Sequence, residues 1–344
     1  MTSSSRWDGV AVLVTGAQGF VGSWLAGRLL DAGARVVVPR RDVAAASRFR
    51  AEGVEQRCDL VQLDVTDYSE LVRVLHEYRV RAVFHLASQS IAEVAERSPY
   101  PTLEANVRGT YTVLEACRAV REVGEEVERV VVSSSALAYG PPTGGPFHED
   151  DPLRPVHPYA VSKACADLVA RSYAATHGLP VAVTRMANVY GGGDLNFSRL
   201  VPDACRALVE GERPVLRSDG TPERELLYVE DAVTAYLAVA ESLDDERLAG
   251  RAWNAGGGEP VPVLDVVRRL VRIAGADVEP DVRGEPAAAG APDRQALDSS
   301  AIRSELGWSP AWDLDRGLAA AHAWYAEHLA GDREAARAGP AGLR

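Results

Sequence analysis

The sequence predicts an α/β protein built on a Rossmann-type doubly wound parallel sheet, followed by a smaller C-terminal α/β lobe. Three observations carry that expectation. From Val10 onward, short β-branched runs alternate with helical patterns. The runs are continuously apolar rather than alternating, as strands need to be when helices cover both faces of the sheet. A glycine-rich turn, TGAQGFVG (residues 15–22), stands between the first run and the first helical pattern.

The elements come in order. VAVLVTG is the first strand, and a helix is expected over residues 22–32. ARVVVPR and LVQLDV are the second and third strands, and the pattern from Tyr68 to Tyr78 is a helix. AVFHLAS, a helix over residues 106–120 and RVVVSSS continue the series. PVAVTRMANVYGGG reads as one more strand and a glycine loop. RLVPDACRALVEG and YVEDAVTAYLAVAE read as helices, the second opened by acidic residues that suit a helix N-terminus. The expected division is a dinucleotide-binding domain over 1–180, with segments near 225–255 returning to it. A substrate-binding lobe then covers mainly 181–330, and 331–344 form a flexible, frayed tail.

Composition bounds the partners. The 344 residues are 47% hydrophobic with a formal net charge of −12, a balance that disfavours a phosphate-backbone partner, so no nucleic acid is expected. No run of about 18 apolar residues occurs and the start, MTSSSRWDG, lacks a signal-peptide pattern. A cytoplasmic protein with no membrane partner is the expectation. Cys58, Cys117, Cys165 and Cys205 form no CxxC pair, so neither a disulfide framework nor a metal site is expected.

The glycine turn has the chemistry of a phosphate cradle. Gly16 permits the tight turn, Gly19 lets a pyrophosphate approach the backbone, and Gly22 allows helix to pack on strand. Gln18, Phe20 and Val21 complete the turn, whose helix N-terminus faces the negative charge. The second strand ends on Arg40 where an acid normally holds the adenosine ribose. Arg40 reads either as acceptor of a 2′-phosphate, which keeps NADP open beside NAD, or as a solvated loop cation. Asp64 after the third strand reads either as a partner of the adenine amino group or as a helix cap.

Tyr159 and Lys163 stand four apart on an expected helix and therefore share a face. A tyrosine with an ordinary pKa near 10 needs a neighbouring cation to act as a base near neutral pH, and a lysine one turn on supplies it. With TGAQGFVG, LDVTD, FHLASQ, NVRGT, VVSSSALAYG, PYAVSK, RMANVYGGG, RELLYVED and ELGWSP in this order, the chain resembles the extended short-chain dehydrogenase/reductase family of nucleotide-sugar epimerases and dehydratases. GGGDLNFSRLVPD and LDSSAIRSELGWSPAWDLDRGL most resemble the CDP-glucose 4,6-dehydratase branch.

The resemblance implies an NAD-dependent, dimeric enzyme acting on a nucleotide-diphosphate sugar. It makes Tyr159 the base for the sugar O4 proton, Lys163 the residue that lowers its pKa and holds the nicotinamide ribose, and Ser135 a partner of the same O4. It adds Val65, Leu86 and Ala87 to the cofactor contacts. It places Ser88, Ser134, Asn188, Leu200, Val201 and Arg224 against the substrate, Arg224 also reading as a helix-flanking cation. A second phosphate-binding arginine of the family has no counterpart in the stretch Ala287–Gly290. The dimer would form through the helices near 106–120 and 160–176.

The reaction turns on the two residues after Ser135. The family's 4,6-dehydratases carry an Asp with a Glu or Lys there, to remove the C5 proton and protonate the leaving 6-hydroxyl. This chain has Ala136 and Leu137, which hold no titratable proton. A 4-epimerase needs no such carboxylate, so 4-epimerisation through a 4-keto sugar is the reading. A dehydratase served from another loop, by His85, His148 or Glu149, and an NADPH-dependent keto-sugar reductase are the alternatives. The residue-level expectation is His85 buried and bonded to backbone, with His148 and Glu149 in a solvated loop.

Overall fold

The computed structural model describes residues 5–43, 46–124, 127–142, 144–286 and 293–338. Within them the chain forms β1 (Ala11–Thr15), α1 (Phe20–Asp31), β2 (Arg35–Arg40), α2 (Arg48–Ala51), β3 (Asp59–Gln62), α3 (Tyr68–Glu77) and β4 (Ala82–His85). Two short helices, α4 (Ala92–Arg97) and α5 (Pro99–Leu103), precede α6 (Gly109–Glu122), β5 (Arg129–Ser133) and α7 (Pro158–His177). Then come β6 (Val181–Met186), β7 (Asn188–Tyr190), α8 (Leu200–Glu210), β8 (Val215–Leu216), β9 (Glu223–Arg224), β10 (Leu226–Tyr228) and α9 (Val229–Ser242). The chain continues through β11 (Ala252–Ala255), β12 (Val261–Pro262), α10 (Val263–Ile273), β13 (Asp281–Val282), β14 (Arg294–Gln295), α11 (Ser300–Leu306) and α12 (Leu314–Ala338).

Seven strands make one sheet in the order β11-β6-β5-β4-β1-β2-β3, and every pairing in it is parallel. The continuous apolar runs have their cause here: β1 and β4 are buried along their whole length, with one set of side chains under each layer of helices. On one face Val12, Val14, Leu25, Val36, Phe84 and Trp253 pack with α1 and α9; on the other Leu13, Val83, Val130, Leu114 and Leu71 pack with α3 and α6. The strand order reverses between β1 and β4, which opens a crevice outside the carboxyl ends of the strands.

The lobe is made of α8, α10 and α12 with three small sheets, β10-β7, β12-β9-β14 and β13-β8, around Tyr190, Val229, Leu270, Leu318 and Tyr325. Two expectations are corrected. PVAVTRMANVY is not one strand: β6 belongs to the large sheet and β7 pairs with β10 in the lobe, the break falling at Ala187. The large sheet thus extends past residue 180, taking in β6 and, at its edge, β11. The tail expected to fray from 331 is helical through Ala338; 339–344 lie outside the described residues.

Candidate active site

The crevice is a cleft of about 600 Å³ lined from the loops after β1, β4, β5 and β6 on one side and from α8, β9 and α10 on the other. Gly16 enters with φ +76°, and a Cβ on it would lie 2.7 Å from the Ala87 amide nitrogen. A Cβ on Gly22 would lie 2.2 Å from the Gly16 carbonyl oxygen, so the turn closes onto the helix only with glycine at both places. Gly19 caps α1 without a side-chain hydrogen bond, leaving the first-turn amides of Phe20, Val21 and Gly22, all on the cleft wall, without intrahelical partners. These residues fit a dinucleotide pyrophosphate.

At the end of β5, Ser133, Ser134 and Ser135 reach the cleft beside Tyr159 and Lys163 of α7. Pro158 opens α7, so Tyr159 sits in its first turn and Lys163 one turn on. Lys163 Nζ donates to the Ser133 carbonyl oxygen at 2.8 Å, and Ser134 Oγ donates to the Lys163 carbonyl oxygen at 3.3 Å. Burial pulls the Lys163 ammonium down to about 8. Burial also raises the Tyr159 hydroxyl above its ordinary value, against the opposing pull of Arg199 and Ser135. Ser135 Oγ accepts from the Leu137 amide at 3.2 Å, which starts the short turn Ala136–Tyr139. That turn buries Ala136 and sets Leu137 on the cleft wall.

Asn188, Leu200, Val201 and Arg224 all line the cleft, as does Ser88. Asn188 Nδ2 donates to the Glu225 carbonyl oxygen at 3.2 Å and to Gln295 Oε1 at 3.1 Å, which fixes its amide. Glu225 is buried, accepts from the Leu297 and Gly258 amides, and is pushed up to about 7 by burial. Burial lowers the Arg224 guanidinium. The stretch 287–290, in which the family's second arginine has no counterpart, lies outside the described residues.

Other expected residues stand at the outer end of β1, β2 and β3. Arg40 Nη1 donates to Glu55 Oε1 at 3.1 Å and is 26% exposed, so it is engaged and half-buried rather than a solvated loop cation. Asp64 caps its own turn, accepting from the Thr66 amide at 2.9 Å and hydroxyl at 2.8 Å. Gln18 Nε2 donates to the Asp42 carbonyl oxygen, and the Ala87 amide donates to Thr15 Oγ1. Val65 lies against Gly109 at the start of α6.

The three alternative acid–base residues are elsewhere. His85 is buried and held between Thr15 Oγ1 at 2.8 Å and Thr110 Oγ1 at 3.1 Å, hydroxyls rather than the backbone expected. Burial brings it down to about 3. His148 is exposed, 3.6 Å from Asp298. Glu149 is not a solvated loop residue but half-buried, accepting from the Asn254 amide at 2.9 Å.

Several cleft residues had no sequence signal. Arg199 joins Leu200 at the mouth, where Nη1 pairs with Asp194 Oδ2 at 2.9 Å, and the loop that brings Asp194 back is a tertiary feature. Tyr236 sits on the buried face of α9 and reads as core by its spacing, yet it lines the floor near Ser133. Ser90 and Glu93 come from the segment after β4.

Fold and site together define an enzyme that uses a dinucleotide cofactor beside a Tyr–Lys pair whose lysine is buried. The chain belongs to the NAD dependent epimerase/dehydratase family, whose model matches residues 12–256. It is 36% identical over 333 residues to a dTDP-glucose 4,6-dehydratase of Streptomyces griseus, covering 92% of this chain and 94% of that one. It is 31% identical to a UDP-glucose 4-epimerase of Azospirillum brasilense, covering 91% of each. The solved dTDP-glucose 4,6-dehydratase of Streptomyces venezuelae with NAD bound superposes with a TM-score of 0.82 at 31% identity, covering 94% of this chain and 98% of that one. No described helix is long and apolar enough to cross a membrane.

Proposed function

We propose that the protein is an NAD-dependent nucleotide-sugar 4-epimerase. The observation that carries this reading is the turn after β5: Ala136 is buried and Leu137 is the side chain presented to the cleft, so the two positions after Ser135 supply neither an acid nor a base. A 4-epimerase needs only one proton-transfer residue at O4, while dehydration needs a further base at C5 and an acid at the 6-hydroxyl.

Gly16, Gly19, Phe20, Val21 and Gly22 hold the pyrophosphate of the dinucleotide, and Lys163 holds its nicotinamide ribose. The cofactor supplies the acceptor and then the donor of the hydride at sugar C4. Tyr159 takes the O4 proton as the sugar becomes a 4-keto intermediate and returns it after the sugar has turned in the cleft. Ser135 bonds the same oxygen and keeps it at Tyr159. Burial keeps the Tyr159 hydroxyl neutral, and the pulls against it come from the Arg199 charge and the Ser135 hydrogen bond. Arg224 takes the substrate diphosphate, and Leu200 and Val201 border its nucleotide; Asn188, whose two Nδ2 hydrogens are already donated to Glu225 and Gln295, shapes the wall beside it.

With Arg40 engaged by Glu55, NAD rather than NADP suits the adenosine end. The alternative, a 4,6-dehydratase, is favoured by the 36% identity to a dehydratase and would need its acid and base from outside the β5 turn. Incubation with UDP-, CDP-, GDP- and dTDP-hexoses, with mass analysis of the products, tests the two. A new isomer of equal mass supports epimerisation; loss of one water overturns it.

A further inference from the structure

One charged side chain in the cleft has no task in the proposed reaction. Glu93, in the first turn of α4, lines the cleft with Ser90, Ser135, Leu137 and Tyr159. It is exposed, and among the described residues its carboxylate makes no hydrogen bond or ion pair. The next turn shows which way this face of α4 is applied. Glu96, three residues on and therefore on the same side of the helix, lies 3.5 Å from His157 Nδ1, and His157 is two residues before Tyr159. The side of α4 that carries Glu93 thus abuts the start of α7, where the proposed base stands.

The other charges in the cleft have partners of their own. Asp194 is 3% exposed and accepts from Arg199 Nη1 at 2.9 Å and from the Asn196 amide at 3.1 Å, which commits both Asp194 and Arg199. Arg224 comes from β9 in the C-terminal lobe, and the Lys163 ammonium is held on the Ser133 carbonyl oxygen. A negative substituent on a sugar ring seated at Tyr159 would therefore meet an uncompensated carboxylate, whereas sugar hydroxyls can donate to it.

We propose that Glu93 selects the charge of the sugar: the cleft takes nucleotide-linked neutral hexoses and rejects hexuronates, whose carboxylate at C6 it repels. The inference rests on the nucleotide-sugar reading and narrows it to a substrate class. Discrimination comes from a repulsive element built against the wrong substrate rather than from an added contact to the right one. At the wall of a cleft such a pair of charges is worth about ten- to a hundredfold in affinity and is screened by salt.

The test is calorimetric titration of the NAD-loaded protein with UDP-glucose and with UDP-glucuronate, for the unaltered chain and for Glu93→Gln and Glu93→Lys. The expected preference for UDP-glucose is at least about tenfold in the unaltered protein and shrinks as salt is raised. It narrows by about tenfold in Glu93→Gln, loses its salt dependence there, and inverts in Glu93→Lys. A preference that neither substitution alters overturns the inference, as does one in the unaltered chain that salt leaves unchanged. Failure of the underlying reading looks different: none of the UDP-, CDP-, GDP- and dTDP-hexoses binds any of the three proteins, while the inference alone fails if both UDP sugars bind with a constant ratio. Glu93→Gln that abolishes turnover of a bound hexose would instead make Glu93 an acid–base residue and overturn the selective role.

Discussion

Tyr159 and Lys163 show how one helical turn prepares a proton transfer. Replacing Tyr159 with Phe removes the hydroxyl and keeps the ring that lines the cleft. Turnover is expected to fall by about a hundredfold or more with the cofactor still retained, as read by nicotinamide absorbance after gel filtration. Lys163 has a cost in the folded state, because burial depresses it to about 8 while an unfolded lysine titrates near 10.4. Between those two pH values the unfolded chain holds a proton that the folded chain has released, so this residue makes stability rise with pH; below about 8 both forms are protonated and the full cost of the buried charge remains. Lys163→Met is therefore expected to raise stability near neutral pH by about 1–2 kcal/mol and to flatten the rise above pH 8, while turnover is lost. Thermal unfolding of both proteins from pH 7 to 10 checks it, and a lower midpoint for the variant at pH 7 would contradict it.

At the scale of elements, α7 is tied to β6 as well as to the cleft. Asp167 on α7 accepts from Arg185 Nε at 2.8 Å and from Nη2 at 3.0 Å, with both side chains fully buried. Arg185 Nη1 also donates to Tyr139 Oη and to the Glu149 carbonyl oxygen, so this bidentate pair fastens α7, β6 and the turn after Ser135 together. Removing one partner leaves the other charge buried and unpaired, and Asp167→Ala is expected to cost about 3–5 kcal/mol in chemical denaturation. The alternation of strands and helices was legible as far as β6 because each strand announces itself by a continuous apolar run. The split of 180–193 into β6 and β7 was not, since an apolar run does not say which of two sheets each half joins.

For the whole molecule we propose a homodimer through α6 and α7. Tyr111 on α6 and Leu168 on α7 are large apolar side chains left 44% and 54% exposed on neighbouring helices. Tyr111→Lys with Leu168→Glu is expected to shift the protein from dimer to monomer in analytical ultracentrifugation; a dimer that survives both changes would place the interface elsewhere.

The local chemistry of the chain was decided by the sequence alone. The glycine turn, the Tyr–Lys spacing and the apolar runs act over a few neighbouring residues, and their consequences come from steric room, helical periodicity and burial. The missing acid after Ser135 belongs there too, because a side chain without a titratable proton carries that lack into any fold. What the tertiary structure decided is which side chains from distant segments share the cleft. It turned Arg40 to Glu55 and set Arg199 against Asp194. It enclosed His85 between two threonines and put Glu93 on the cleft wall with Ser135 and Tyr159. These depend on contacts across many residues of chain, where the partner of a charge is chosen by packing and not by its neighbours in sequence.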